Sequence, residues 1–167
     1  MGFTPTPIYE FEKKILTEEY LGSLYNYSGD SRVASFLDTV EAYMPTKACD
    51  MKIYYGNGGV VQRENCILTE IPNYLAFIGG DNGYTVINVP ENPQDRNILV
   101  VKDSFGNAFV TFLAEHYGNI VVIDPRHADV NIYDFYNTYK FTDIVFMANS
   151  TSGNMPVWHD YLASLLN

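Results

Sequence analysis

The sequence has few basic residues and no long apolar run, and each absence excludes a class of function. Its 167 residues contain ten Lys and Arg against twenty Asp and Glu, which gives a formal net charge of −10. Because a nucleic-acid ligand needs concentrated positive charge, the composition excludes nucleic acid as a partner. Apolar runs such as Ile98–Val101 and Ile120–Ile123 fall far short of the roughly 18 residues that a membrane-spanning helix needs. We therefore predict no membrane span in this chain.

Cofactor motifs and metal-binding motifs are absent as well. The glycine-rich segments match neither a P-loop nor a dinucleotide-binding fingerprint, and no His or carboxylate cluster has metal-ligand spacing. We therefore predict no cofactor and no metal. The only cysteines, Cys49 and Cys66, form no Cys-x-x-Cys pair, which excludes zinc and thioredoxin-type sites and leaves either two buried thiols or one disulfide. The N-terminal residues Met1–Pro5 lack the basic-then-apolar order of a signal peptide.

The remaining composition is that of a globular domain rich in tyrosine. Hydrophobic residues make up 47% of the chain, and its length is sufficient for one domain with its own core. The fourteen tyrosines either cover that core or line a wet binding groove, because the ring is apolar and the hydroxyl is polar. The pattern changes near residue 95, so we predict an irregular α+β half over residues 1–95 and a βαβαβα half over residues 96–167.

The first half contains short elements. Lys13–Tyr20 has modest helical character, and apolar residues at helical spacing over Val33–Met44 predict a second helix. Three further segments have the alternating or apolar pattern of strands, and one apolar segment is ambiguous between strand and helix. The predicted strands are Met51–Tyr55, Asn65–Leu68 and Tyr84–Val89, and the ambiguous segment is Tyr74–Ile78.

The second half alternates strands with helices. Continuous β-branched runs predict strands that are buried on both faces, and helical spacing predicts the segments between them. A strand–helix unit repeated three times predicts an α/β fold with parallel strands. The strands are Asn97–Val101, Asn119–Ile123 and Asp143–Met147, and the helices are Asn107–Tyr117, Val130–Tyr139 and Val157–Leu166.

Polar residues at the ends of these strands form the candidate site, because parallel sheets bind ligands at their carboxyl ends. Ser104 follows the first strand and precedes a helix, where it is either a nucleophile beside oxyanion-binding N–H groups or, like Asp103, a helix cap. His127 follows the next strand and is either the base for Ser104, oriented by Asp124, or a solvated turn residue. Arg126 can hold an anionic group or pair with a carboxylate.

Four more residues complete the predicted site. Asn107 is expected to stabilise the oxyanion with backbone N–H groups, and a turn glycine, Gly79 or Gly80, can add a donor. Asn149, in the polar stretch after the third strand, can line the cleft. The literal lipase motif Gly29-Asp30-Ser31 lacks a buried strand before it, so we interpret it as a helix cap.

Several separated blocks of the chain resemble the DHHW protein family. They lie in the family's order and extend over about residues 13–152. DHHW proteins are similar to the SGNH-hydrolase-like O-acetyltransferases that modify bacterial exopolysaccharides such as alginate. The resemblance implies a three-layer α/β/α, SGNH-like fold with a mostly parallel sheet, an extracytoplasmic location in the cell envelope, and Ser104 as the residue that accepts an acyl group. The blocks are Leu21–Gly29, Phe77–Asn82, Ile98–Phe109, His116-Tyr117 and Val122–Arg126.

One feature of the family is missing. Its acid–base pair is an Asp-x-His located before the serine, whereas the first histidine here is His116. The chain is accordingly expected to be the C-terminal portion of a longer protein, incomplete at its N-terminus, or a naturally short member. A serine without a base is a weak nucleophile, so we expect feeble activity or none. A substitute pair is Asp124 with His127, whose Asp-x-x-His spacing is the one used by SGNH hydrolases.

Two functions remain open at this point. The first is an acyl-transfer or esterase module that acts on bacterial cell-envelope carbohydrate, with carbohydrate or an acyl ester as its partner. The second is a non-catalytic carbohydrate-binding or protein-interaction module of the envelope, which the tyrosine content and the missing base both favour. Whether the chain is an enzyme depends on which of the two holds.

Overall fold

Eight strands and five α-helices make up the fold over residues 2–167, which a computed structural model describes. The strands are β1 (Glu12–Tyr20), β2 (Asp38–Met44), β3 (Asp50–Tyr54), β4 (Val60–Arg63), β5 (Tyr84–Asn88), β6 (Asn97–Lys102), β7 (Asn119–Ile123) and β8 (Asp143–Met147). The helices are α1 (Gly22–Ser28), α2 (Gly106–Phe112), α3 (Ile132–Tyr139), α4 (Ser150–Gly153) and α5 (Pro156–Ser164). None of the helices in the described residues is both long enough and apolar enough to cross a bilayer.

Six of the strands form one mixed sheet in the order β4-β3-β5-β7-β6-β8. β6 runs parallel to β7 and β8, whereas β5–β7, β3–β5 and β3–β4 are antiparallel pairs. The predicted α/β fold is therefore confirmed, but the prediction of a mostly parallel sheet is wrong. The parallel strands all come from the second half of the chain. The first half adds antiparallel strands, because the short turn between β3 and β4 can only reverse the chain.

The centre of the sheet is buried on both faces. Every residue of β6 is buried, and successive residues pack into different clusters. Ile98 and Val100 join the core beneath α2, while Leu99 and Val101 pack against side chains of α3 and α5 on the other face. A strand covered on both faces has no polar side to display, which explains the continuous apolar run in its sequence.

The outermost strand, β8, differs from the prediction in its burial. Its bounds are those predicted, but its residues alternate between half-buried and exposed. Ile144 and Phe146 are 51% and 61% exposed. The prediction that β8 is buried on both faces is wrong, because the strand pairs only with β6 and lies at the edge of the sheet.

Two predicted helices in the first half are strands instead. Residues 13–20 belong to β1 and residues 38–44 to β2, and the two pair in a separate antiparallel sheet. β2 buries Val40 and Ala42, two residues apart, while Phe36 is 79% exposed and takes no part in a helical face. Pairing between distant segments overrides the weak helical preference of either one alone.

The other short segments of the first half are only partly as predicted. The strands predicted at Met51–Tyr55 and Tyr84–Val89 are confirmed within one residue at each end. Asn65–Leu68 contributes a single bridge, Ile67 to Phe77, and the ambiguous segment Tyr74–Ile78 contains a 3-10 turn. In the lipase-like motif, Gly29 ends α1 with a positive φ of 60°. The long helix that Asp30-Ser31 were predicted to cap does not exist.

Candidate active site

Ser104 lies between the end of β6 and the start of α2, on a turn that Asp103 anchors. The Asp103 side chain is fully buried. Its Oδ1 accepts a hydrogen bond of 3.0 Å from the Phe105 N–H, and its Oδ2 accepts bonds of 2.8 and 2.6 Å from the backbone and side chain of Asn149. Asp103 thus carries the anchoring role, and the Ser104 hydroxyl makes no hydrogen bond with any described residue.

The N–H of Ser104 is the open donor at this turn. The next three backbone N–H groups already donate to oxygens of Asp103 and Ser104. The N–H of Ser104 has no acceptor within residues 2–167, and neither has that of Gly79. Gly79 and Gly80 have positive φ values of 74° and 86°, so the turn that carries them follows a path that favours glycine. The backbone N–H groups of Ser104 and Gly79 are thus both without an acceptor in the described residues.

A lysine fills the space beneath this turn. A Cβ on Gly106 would lie 2.6 Å from the Cβ of Lys102, so Gly106 is required by the passage of the Lys102 side chain. Lys102 itself is only 2% exposed along its side chain. Burying an ammonium group is costly unless opposite charges surround it, so Lys102 needs acidic partners close to its Nζ.

A closed network of ion pairs joins two cations, Lys102 and Arg126, to two carboxylates, Asp81 and Asp124. The Lys102 Nζ lies 3.2 Å from Asp124 Oδ2 and 3.6 Å from Asp81 Oδ1. Arg126 binds Asp124 in a forked geometry, with Nε 2.8 Å from Oδ1 and Nη2 2.6 Å from Oδ2, and Nη2 also lies 3.1 Å from Asp81 Oδ2. Asn107 Nδ2 donates a 3.0 Å hydrogen bond to Asp81 Oδ1. The network links β6, β7, α2 and the turn over Gly79–Gly83, which we call the glycine turn.

The network holds Asp124 in its charged form. Burial alone raises the pKa of Asp124, but hydrogen bonds from Arg126 and the charges of Lys102 and Arg126 outweigh that effect and lower the pKa below its ordinary value. The same contact with Asp124 raises the pKa of Arg126. Of the two roles predicted for Arg126, the structure shows the pairing with a carboxylate.

His127 lies next to this network. A ring nitrogen of His127 and carboxylate oxygens of Asp81 and Asp124 lie within 4.8 Å of one another. His127 makes no side-chain hydrogen bond to Asp124 or Ser104 within the described residues, and Asp124 is committed to Arg126 and Lys102. The pairing of Ser104 with His127 stays a prediction. A metal ion at these three groups would have to displace Lys102 and Arg126, which already neutralise both carboxylates.

Asn107, Asn149 and the glycine turn have defined contacts in the structure. Asn149 Oδ1 caps α4 and its Nδ2 binds Asp103, so this side chain positions the serine turn. Asn107 is buried, and its Oδ1 has no hydrogen-bond partner among the described residues. Asn82 was not predicted. Its buried Nδ2 donates to the carbonyls of Ile78 and Gly80 and holds the glycine turn in place.

Lys102 and Asp81 were also missed as site residues. A charged residue at the end of an otherwise apolar strand was the available signal for Lys102, since such a side chain needs a buried partner. Asp81 lies in the Gly79–Gly83 turn signal, where a carboxylate has the ordinary explanation of a turn residue. Its contacts with Lys102, Asn107 and Arg126, all more than 20 residues further along the chain, show that Asp81 belongs to the site.

An aromatic cavity of about 540 Å³ lies between residues of β3, β5 and α3. Its floor contains Tyr54 stacked on Tyr84, with ring centroids 4.2 Å apart and an angle of 9° between the planes, and Phe135 meets Tyr84 edge-on at 5.0 Å. Asp129 lies in its wall, two residues after His127. The lining has no Lys, Arg or His in the part of the chain that the structure describes.

The segments that form the candidate site also match a known protein family. The family model described as DHHW protein matches residues 9–123, which is more than half of the chain. The chain belongs to the DHHW family. The match includes the glycine turn, the Ser104 turn and β7, and ends one residue before Asp124.

Solved structures show that the fold is shared. A DHHW family protein from Eubacterium siraeum DSM 15702 matches with a TM-score of 0.86 and 22% sequence identity over 98% of this chain. Bacillus cereus PatB1 with a sulfonyl adduct matches with a TM-score of 0.73 and 16% identity over 95% of the chain. A second structure of Bacillus cereus PatB1 matches with a TM-score of 0.70 and 16% identity over 92%.

The DHHW chain described here spans about half the length of these structures, 55% of the first and 53% of each PatB1 chain. At these sequence identities, the similarity shows that the fold is shared and shows nothing further. No curated protein matches the sequence.

Proposed function

We propose that this chain carries the nucleophile of an acyl-transfer or esterase module that acts on bacterial cell-envelope carbohydrate, with Ser104 as that nucleophile. The observation that carries the proposal is the state of Ser104. Its hydroxyl and its N–H are both free of protein partners, on a turn fixed by the buried Asp103. A free hydroxyl beside a free backbone donor is what attack on an ester carbonyl requires.

The sulfonyl adduct of PatB1 supports this proposal. The PatB1 structure that carries it has the same fold as most of this chain. Sulfonyl groups attach covalently to nucleophilic side chains, and a serine hydroxyl activated for acyl transfer is such a group. An SGNH-like fold and an extracytoplasmic location belong to the same proposal, because they too come from the likeness to PatB1 and from the family resemblance.

The proposed reaction uses residues that follow β6 and β7, together with the turn that contains Gly79. The Ser104 Oγ attacks the carbonyl carbon of an acyl ester, and its proton passes to His127 after the exposed imidazole moves into contact. The N–H groups of Ser104 and Gly79, with the Asn107 amide, hold the negative oxygen. The alcohol then leaves with a proton from His127. The acyl group passes from Ser104 to a carbohydrate hydroxyl or to water.

Hydrolysis of an aryl acetate tests the proposal, with Ser104→Ala as the deciding variant. We expect any hydrolysis above the uncatalysed rate to disappear in Ser104→Ala, because the proposal assigns the attack on the ester to the Ser104 hydroxyl. Ser31→Ala is the matched control, since Ser31 lies in the lipase-like motif outside the sheet, and it should retain the wild-type rate. Hydrolysis that survives Ser104→Ala would contradict the assignment of Ser104.

A second candidate function rests on the aromatic cavity. Tyr54, Tyr84 and Phe135 offer ring surfaces for stacking against a sugar, and Asp129 supplies a hydrogen-bond acceptor at the rim. A non-catalytic carbohydrate-binding module would use this cavity and leave Ser104 unreactive. Cell-wall glycans that raise the melting temperature, in a protein whose Ser104 does not react with a sulfonyl fluoride, would favour this second function.

A further inference from the structure

The two cysteines meet at the base of the β3–β4 hairpin. Cys49 immediately precedes β3, and Cys66 lies three residues after β4 ends. The strands pair with Met51 opposite Arg63, so continuing the same register places Cys49 opposite Asn65, next to Cys66. Both cysteines belong to the same core cluster, with exposures of 4% and 1%. Both thiols are free.

The two thiols differ in reactivity. Hydrogen bonding from Cys66 lowers the pKa of the Cys49 thiol, whereas the same contact, together with burial, raises the pKa of Cys66. Cys49 also lines a surface cavity of about 420 Å³, while Cys66 does not. Cys49 therefore borders a surface cavity and has the larger thiolate fraction of the two, and the thiolate is the form that reacts.

We propose that Cys49 and Cys66 are an oxidative modification site that closes into an intrachain disulfide when the folded protein meets a low-molecular-weight disulfide. The Cys49 thiolate attacks one sulfur of the oxidant and releases the other half as a thiol. The Cys66 thiolate then attacks the Cys49 sulfur of this mixed disulfide and releases the second thiol. The two electrons lost by the protein reduce the oxidant, and each released thiol takes one proton. This inference does not depend on the proposed function.

The surroundings of Cys49 indicate which oxidant reaches it. The cavity is lined by the carboxylates of Asp50 and Glu64, and the chain has a net charge of −10, so an anionic disulfide is repelled. The probe should therefore be small and neutral, and bis(2-hydroxyethyl) disulfide meets both requirements. The Cys66 backbone is also held in place, because its carbonyl accepts a 2.9 Å hydrogen bond from Ile78.

Treatment of the folded protein with this probe tests the inference. We expect the intact mass to fall by two hydrogens, the protein to remain monomeric on a non-reducing gel, and a peptide with Cys49 joined to Cys66 to appear. A disulfide across this hairpin should raise the melting temperature by roughly 5–10 °C, because it limits the unfolded chain. Thiols that stay free, or a disulfide that joins two molecules, would overturn the inference.

Single variants test the order of attack. In Cys66→Ser the probe should remain attached to Cys49 as a stable mixed disulfide, whereas in Cys49→Ser the buried Cys66 should react at least about tenfold more slowly. Equal rates in the two variants would show that Cys49 is not the attacking thiol. The mass and peptide measurements use the wild-type chain. They therefore still decide whether the disulfide forms if one of the variants fails to fold.

Discussion

Asp124→Asn is expected to lower the free energy of unfolding by about 3–5 kcal/mol, the usual loss when one partner of a buried ion pair is removed. The substitution keeps the size of the side chain but leaves the ammonium group of Lys102, 2% exposed, with only Asp81 at 3.6 Å. Urea unfolding followed by circular dichroism measures the change. Asp160→Asn, an exposed carboxylate on α5, is the matched control and should change stability by less than about 0.5 kcal/mol.

A second substitution separates charge from packing. Adding Lys102→Met to Asp124→Asn removes the uncompensated cation, so the double variant should recover part of the lost stability.

The dependence of the protein's stability on pH has a defined sign. Because folding lowers the pKa of Asp124, its stabilisation is complete above the unfolded value near 3.8 and is lost as the pH falls through the lower folded value. A loss below about 1 kcal/mol in Asp124→Asn would show that the network does not support the site.

His127→Gln is expected to slow acylation of Ser104 by about 100-fold or more, since general-base catalysis contributes roughly 10²–10⁴. Glutamine keeps a polar side chain of similar length but cannot take the serine proton. The measurement is the rate at which an aryl acetate acylates the protein, followed by intact mass.

His159→Gln is the control for this experiment. His159 is exposed on α5 and its side chain makes no hydrogen bond in the described residues, so its replacement should leave the rate unchanged. If His127→Gln acylates as fast as the wild-type protein, His127 is not the base. A ring nitrogen of His127 lies within 4.8 Å of carboxylate oxygens of Asp81 and Asp124.

The sequence predicted the fold well where burial alone determines an element. β6 and β7 begin where they were predicted to begin and end within one residue of the predicted ends, because their apolar runs are the buried strands. β1 and β2 were mistaken for helices, since their pairing joins residues that lie 18 to 32 positions apart and leaves little trace in local spacing. The antiparallel part of the sheet was missed for the same reason.

The candidate site was predicted in part. Ser104, Asp124, Arg126 and His127 follow from a rule about strand ends, which needs only the strand positions. Lys102 and Asp81 could not be predicted as partners, because their contact depends on how the glycine turn packs beneath α2. The sequence also left open which residue anchors the serine turn, and the structure assigns that role to Asp103 through its bonds to Asn149.

The most direct test of the central claim is covalent labelling of the folded chain with phenylmethanesulfonyl fluoride, followed by peptide mapping. The claim is that Ser104 is the nucleophile of a DHHW acyl-transfer site. We predict that one sulfonyl group attaches to Ser104 and that Ser104→Ala remains unlabelled. A label on another residue of the wild-type protein, or none after prolonged incubation, would contradict the account.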